Sequence, residues 1–124
     1  MKAMKNVSFK LDGVGKWKIS VPPSVYPPRE DSYLLCKTIA EFKSHGGNAL
    51  EIGCGSGIVS IVLSSLGWDV TCCDINPVAV DATRKNLERN NLADRVQVIE
   101  SSTEGEISIP EEIDLIVWNI PYLE

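Results

Sequence analysis

No stretch of these 124 residues keeps about 18 apolar residues in a row, so no membrane-spanning helix is expected. The opening residues, MKAMKNVSFKLDG, carry lysines but lack the apolar core that a secretory leader needs. Cysteine is sparse: Cys36, Cys54, Cys72 and Cys73 form no CxxC pair and have no histidine beside them. Neighbouring strand positions point to opposite faces, so Cys72 and Cys73 cannot readily share a ligand. All four are expected as small buried hydrophobes in a reduced, cytoplasmic compartment, with no metal site. Histidine occurs once, at His45 beside Gly46-Gly47, where it suits the end of a helix better than catalysis. Positive charge is short too, with 12 Lys and Arg against 17 Asp and Glu for a net −5. That balance counts against a partner gripped through many phosphate contacts. The nearest thing to a basic cluster, Arg84, Lys85, Arg89 and Arg95, reads as a solvated helix face. Repeats and low-complexity segments are absent.

What remains is enough for one domain with a single core. Residues 7–21, "VSFKLDGVGKWKISV", place two alternating runs around a glycine turn, which is a hairpin signal. Pro22, Pro23, Pro27 and Pro28 then hold the chain extended. Glu30 and Asp31 suit the first turn of a helix expected to reach about residue 44, with Leu34, Leu35, Ile39 and Phe42 on one face. From Asn48 the rhythm changes to strands alternating with helices. Strands are expected at 49–52, 69–73, 96–99 and 114–118, and helices at 58–66 and 76–90, with Pro77 where its missing N–H costs nothing. This alternation gives right-handed βαβ units, a parallel sheet and helices on both faces: an α/β, Rossmann-like domain. Residues 1–24 form an N-terminal hairpin extension, and 25–124 the core.

The chemistry concentrates after the first parallel strand, in "LEIGCGSGIVS". Gly53, Gly55 and Gly57 there permit positive φ and let a ligand approach the backbone. The helix that follows offers free N–H groups and a positive dipole end. The dinucleotide pattern GxGxxG fails, because the last glycine would fall on Ile58 or Ser60. Asp74 ends the second parallel strand at the same edge, where a carboxylate can accept both ribose hydroxyls. Read alone, it could equally cap the next helix.

Glu51-x-Gly53-x-Gly55-x-Gly57 resembles the first motif of class I S-adenosylmethionine-dependent methyltransferases. The resemblance implies S-adenosylmethionine as cofactor, lying against Gly53, Cys54, Gly55 and Gly57, with Glu51 engaging the loop or the cofactor's ammonium. It implies further contacts at Asp74, Ile75 and Asn119. It also implies an acid near the adenine amino group, where this sequence has Ser101 and Ser102 instead.

Asn119-Ile120-Pro121-Tyr122 resembles the [DN]-P-P-[YFW] motif of members that methylate planar nitrogens, with Ile120 in place of the first proline. Such a nitrogen is a poor nucleophile because its lone pair is delocalised. The Asn119 side-chain carbonyl and the Ile120 backbone carbonyl can each accept one N–H, Pro121 stiffens the loop, and Tyr122 offers a ring face.

"VYPPREDSYLL", residues 25–35, is similar to the lead-in of HemK-like protein glutamine N5-methyltransferases of the archaeal and eukaryotic branch. That likeness places Tyr26, Glu30, Asp31 and Ser32 near the methionine end of the cofactor. It implies a release-factor glutamine as acceptor and a small activator subunit as partner. Without it, the same acids could simply start a helix. Two alternatives stand beside this reading: methylation of an exocyclic amine in RNA or DNA, and a truncated, non-catalytic cofactor- or partner-binding module.

The run Ile113 to Trp118 is apolar enough to be buried on both faces. Class I domains continue past the fourth strand, so the expectation is a domain shortened there. Its fourth-strand edge would be covered by a second chain, by self-association or by more of a longer protein.

Overall fold

A computed structural model describes residues 4–42, 46–101 and 110–118. The alternating N-terminal runs form an antiparallel hairpin of β1 (Lys5–Leu11) and β2 (Gly15–Val21). Its inner face buries Phe9, Leu11, Trp17, Ile19 and Val21. Phe9 also meets Tyr33, with ring centroids 6.2 Å apart, which ties the hairpin to α1 (Glu30–Ile39).

The core sheet contains β3 (Asn48–Ile52), β4 (Asp69–Asp74), β5 (Val96–Glu100) and β6 (Leu115–Trp118), all parallel, in the order β5-β4-β3-β6. Helix α2 (Ile58–Ser65) joins β3 to β4, and α3 (Pro77–Arg89) joins β4 to β5. Both crossovers step the same way across the sheet, so right-handed connection puts both helices on one face. Ala49, Val70, Cys72, Val96 and Val117, from that face, share one apolar cluster with Ile58, Ile61, Leu63 and Leu87. Burying Ile61 and Leu63, both at 0% exposure, is worth about 1.5–3 kcal/mol each. Of the two helix layers the alternation implies, the described residues supply this one. Between β5 and β6 the chain reverses direction across the sheet. The switch lies between β3 and β6, where open α/β sheets bind ligands at their carboxyl ends.

Three expectations need correction. Helix α1 stops at Ile39, not near 44: Glu41 and Phe42 N–H groups bond to Thr38 and Ile39 carbonyls at 3.1 and 2.9 Å, a tightened closing turn. Thr38 assists by bonding its hydroxyl to the Leu34 carbonyl at 2.9 Å. Leu34 and Phe42 do not share the inward face. They are 59% and 54% exposed, and the helix buries Cys36 and Ile39 instead. Strand β6 is not buried on both faces either. Val117 is buried, whereas Ile116 and Trp118 are 59% and 60% exposed. An apolar run carries no mark of which face is covered, so composition alone could not separate them. His45 lies outside the described residues.

Candidate functional site

At the end of β3 the chain turns through Gly53-Cys54-Gly55-Ser56-Gly57 into α2. The three glycines have φ of 79°, 53° and 90°, a region L side chains rarely adopt. A methyl group at Gly53 or Gly55 would meet nothing within 4 Å, so both face open space at the sheet's edge. Gly57 does the opposite. A Cβ there would sit 3.0 Å from Thr83 Cγ2 and 3.2 Å from Thr83 Cα, because the start of α2 presses on α3. Gly57→Ala is therefore expected to destabilise the fold by about 1–3 kcal/mol, read as a lower urea midpoint with unchanged slope.

The turn is held from several sides. Gly53 and Cys54 N–H groups both bond the Cys73 carbonyl, at 2.8 and 3.0 Å. Gly55 N–H bonds Asp74 Oδ2 at 3.0 Å, and Asp74 Oδ1 accepts the Asn76 N–H at 2.9 Å. Helix α3 is capped by Asn76, whose side chain accepts the Val78 N–H at 3.0 Å. Asp74 is thus not the cap. Each of its oxygens spends one bond on the protein and keeps further acceptor capacity. Just past it stand Ile75 and Val78, apolar yet 64% and 42% exposed. Open space over two glycines, an acceptor-rich carboxylate and an exposed apolar shelf together fit a nucleoside-bearing ligand. Ser101, buried beside them, bonds its N–H to the Asp74 carbonyl at 2.9 Å.

Glu51 lies beneath the turn rather than in the open cleft, 2% exposed, with Ser60 of α2 donating to its Oε1 at 2.6 Å. Burial lifts its pKa well above the ordinary carboxylate range, against the lowering effect of the Ser60 bond. Cys36 of α1 packs near it. Burial, and then the Glu51 charge, push this thiol up to about 12. Cys72, fully buried, is raised as well through its contact with Cys54 and by burial. All four cysteines are free and buried. Because the folded protein raises the Glu51 pKa, its stabilising effect is complete below the unfolded value, about 4.3, and is lost as pH climbs through the folded one. Glu51→Gln is expected to flatten that decline and to be the more stable form at pH 8, in urea unfolding run across pH.

The lead-in residues are placed at the start of α1. Ser32 Oγ accepts the Arg29 N–H at 3.3 Å and Asp31 Oδ1 accepts the Ser32 N–H at 2.9 Å. Tyr26 is 76% exposed, with the Arg29 guanidinium 5.4 Å from its ring centre. Glu30 and Asp31 are exposed in the first helical turn. Ser102, Asn119, Ile120, Pro121 and Tyr122 lie outside the described residues.

Sequence reasoning missed Thr83, Asn86 and Ser60. Thr83 donates to the Gly55 carbonyl at 3.0 Å and lies 3.3 Å from Cys54 Sγ. Asn86 donates to the Ser56 carbonyl at 2.8 Å. The signal was present: Thr83 and Asn86 are polar residues on the helical stripe with Ala79, which is the buried face.

The family model for ribosomal protein L11 methyltransferase (PrmA) matches residues 33–121. A protein of Methanocaldococcus jannaschii, provisionally named a protein N5-glutamine methyltransferase, is 36% identical over 116 residues, 93% of this chain and 54% of that one. A release factor glutamine methyltransferase of Clostridium botulinum is 31% identical over 109 residues, covering 84% of this chain and 38% of that one. The chain thus spans about half or less of these curated relatives. Among solved structures, a 16S rRNA N2 methyltransferase of T. thermophilus (RsmC), with AdoMet and guanosine, superposes with TM-score 0.84. It covers 99% of this chain and 34% of that one at 22% identity, and so speaks for the fold. With a family model covering most of its length and the matching turn and sheet, the chain belongs to the ribosomal protein L11 methyltransferase (PrmA) family of class I S-adenosylmethionine-dependent methyltransferases.

Proposed function

We propose that the protein methylates a glutamine side-chain amide of a protein substrate such as a peptide chain release factor. Asn119-Ile120-Pro121-Tyr122 carries this reading, because its residue types suit a planar –NH₂ group and it follows Trp118 directly in the sequence. Trp118, the last residue of β6, pairs in the parallel ladder with Ile52, which immediately precedes Gly53.

When bound, S-adenosylmethionine supplies an electrophilic sulfonium methyl. Gly53 and Gly55 leave room for it, Asp74 accepts the ribose hydroxyls, and Ile75 and Val78 offer an apolar surface to the base. Asn119 and the Ile120 carbonyl hold the acceptor –NH₂ by its two hydrogens, aiming the nitrogen at the methyl carbon. Both carbonyls gain strength as positive charge grows on that nitrogen, so they favour the transition state over the ground state. Tyr122 supports the planar amide by its ring.

The resemblance of residues 25–35 to glutamine methyltransferases and the two relatives named for that activity support the acceptor. A second reading, with a ribosomal protein as substrate, follows from the description of the matching family. The test is incubation with methyl-tritiated S-adenosylmethionine and, separately, a release factor, ribosomal protein L11 and ribosomal RNA. Label mapped to the glutamine of the release factor's Gly-Gly-Gln loop is expected. Label on L11 alone, or on RNA alone, would overturn the proposal.

A further inference from the structure

Helix α3 meets the N-terminal hairpin through two asparagines one turn apart. Asn90 accepts the Lys18 N–H at 3.2 Å and donates to the Lys18 carbonyl at 3.0 Å. Asn86 treats Ser20 the same way, accepting its N–H at 2.8 Å and donating to its carbonyl at 2.9 Å. Each side-chain amide thus imitates the peptide of a neighbouring strand and closes the outer edge of β2. Arg89, between them, bonds the Ser20 hydroxyl.

The two asparagines differ in their remaining N–H. Asn90 spends it on the Asn86 carbonyl of its own helix, at 2.8 Å. Asn86, at 0% exposure, sends it to the Ser56 carbonyl in the glycine turn, at 2.8 Å. Thr83, three residues earlier, holds the preceding carbonyl, that of Gly55. Two consecutive peptide planes of the turn are therefore pinned to α3. In a trans peptide the N–H points opposite to its carbonyl, so pinning the Gly55 and Ser56 carbonyls fixes where the Ser56 and Gly57 N–H groups aim.

We infer that Asn86 is a positioning residue for the cofactor, through which the N-terminal hairpin holds the glycine turn in its binding shape. The inference rests on the turn being the S-adenosylmethionine site. Its physical content is preorganisation: a turn passing through three left-handed glycines has many alternatives, and restricting them before binding removes that entropy from the binding step. It also gives the hairpin, which otherwise stands apart from the sheet, a part in cofactor affinity.

Matched variants test it, because Asn86→Ala and Asn90→Ala each remove one hairpin bracket but only the first releases the turn. Calorimetry is expected to show S-adenosylmethionine affinity about tenfold or more weaker in Asn86→Ala and within about twofold of wild type in Asn90→Ala. Native-state hydrogen exchange is the second readout. Both variants should expose their hairpin amide, Ser20 or Lys18 respectively, while only Asn86→Ala speeds exchange at Gly55 and Gly57. Asn86→Ser, a milder truncation, replaces Asn86→Ala if the latter does not fold. Equal effects of the two positions on the turn amides, or none from position 86, would overturn the inference. If the wild type takes up no S-adenosylmethionine the cofactor reading falls, while the exchange experiment still decides whether Asn86 holds the turn.

Discussion

Asp74→Ala is expected to weaken S-adenosylmethionine binding by at least about 100-fold, and calorimetry on the variant should show little or no heat. The proposed pair of charge-assisted bonds between Asp74 and the ribose hydroxyls, at about 1.5–3 kcal/mol each, sets that scale. The protein-side bonds add to it. Asp74 also accepts the Gly55 and Asn76 N–H groups, so its removal loosens the turn and the entry into α3 together. Leaving those two donors without an acceptor should lower the stability of the unliganded protein by about 1–3 kcal/mol. Asp74→Asn separates the contributions, since its amide keeps one acceptor oxygen and loses the charge. Binding by Asp74→Ala within a few-fold of wild type would mean that the ribose is held elsewhere.

Asn119→Ala is expected to cut methyl transfer by about 10²–10³-fold while cofactor affinity stays within a factor of about two. The split follows from the division of labour at the site. Under the proposed function the turn and Asp74 would grip the cofactor, whereas the side-chain carbonyl of Asn119 would meet the acceptor nitrogen, whose need for it grows in the transition state. Asn119→Asp keeps an acceptor oxygen and should retain more activity than the alanine variant. Single-turnover rates at saturating cofactor, beside calorimetric affinities, give both numbers. Parallel loss of affinity and rate would make Asn119 a structural residue of the strand end.

Much of this architecture could be read from the residues. Periodicity marked the four parallel strands and α2, and Pro77 after Asn76 marked the start of α3 because the capping chemistry there is local. The glycine spacing located the turn, since positive φ and close approach demand glycine wherever they occur. What eluded the sequence was long-range. Nothing in Leu34 says that α1 turns it outward, nor in Phe42 that the helix ends before reaching it, because both depend on what packs beside α1. Asn86 falls on the buried stripe of α3 with Ala79 and Thr83, but nothing near it in sequence names its partners. Its role appears only once Ser20 and Ser56, 66 and 30 residues away in sequence, come within 3 Å of it. Glu51 showed the converse: the motif singled it out, and the fold turned it inward to Ser60.

The uneven covering of the sheet has an optical consequence. Of the three tryptophans, Trp17 and Trp68 are 7% and 5% exposed, whereas Trp118 stands 60% exposed at the carboxyl end of β6. Iodide can therefore reach one indole and not the other two, and the quenchable part of the emission belongs to Trp118. That indole is one residue from Asn119 and in register with the residue before Gly53. Whatever settles over this end of the sheet, cofactor, peptide or protein, will change its colour and its access to quencher. The protein thus carries its own dye at the edge of the proposed site.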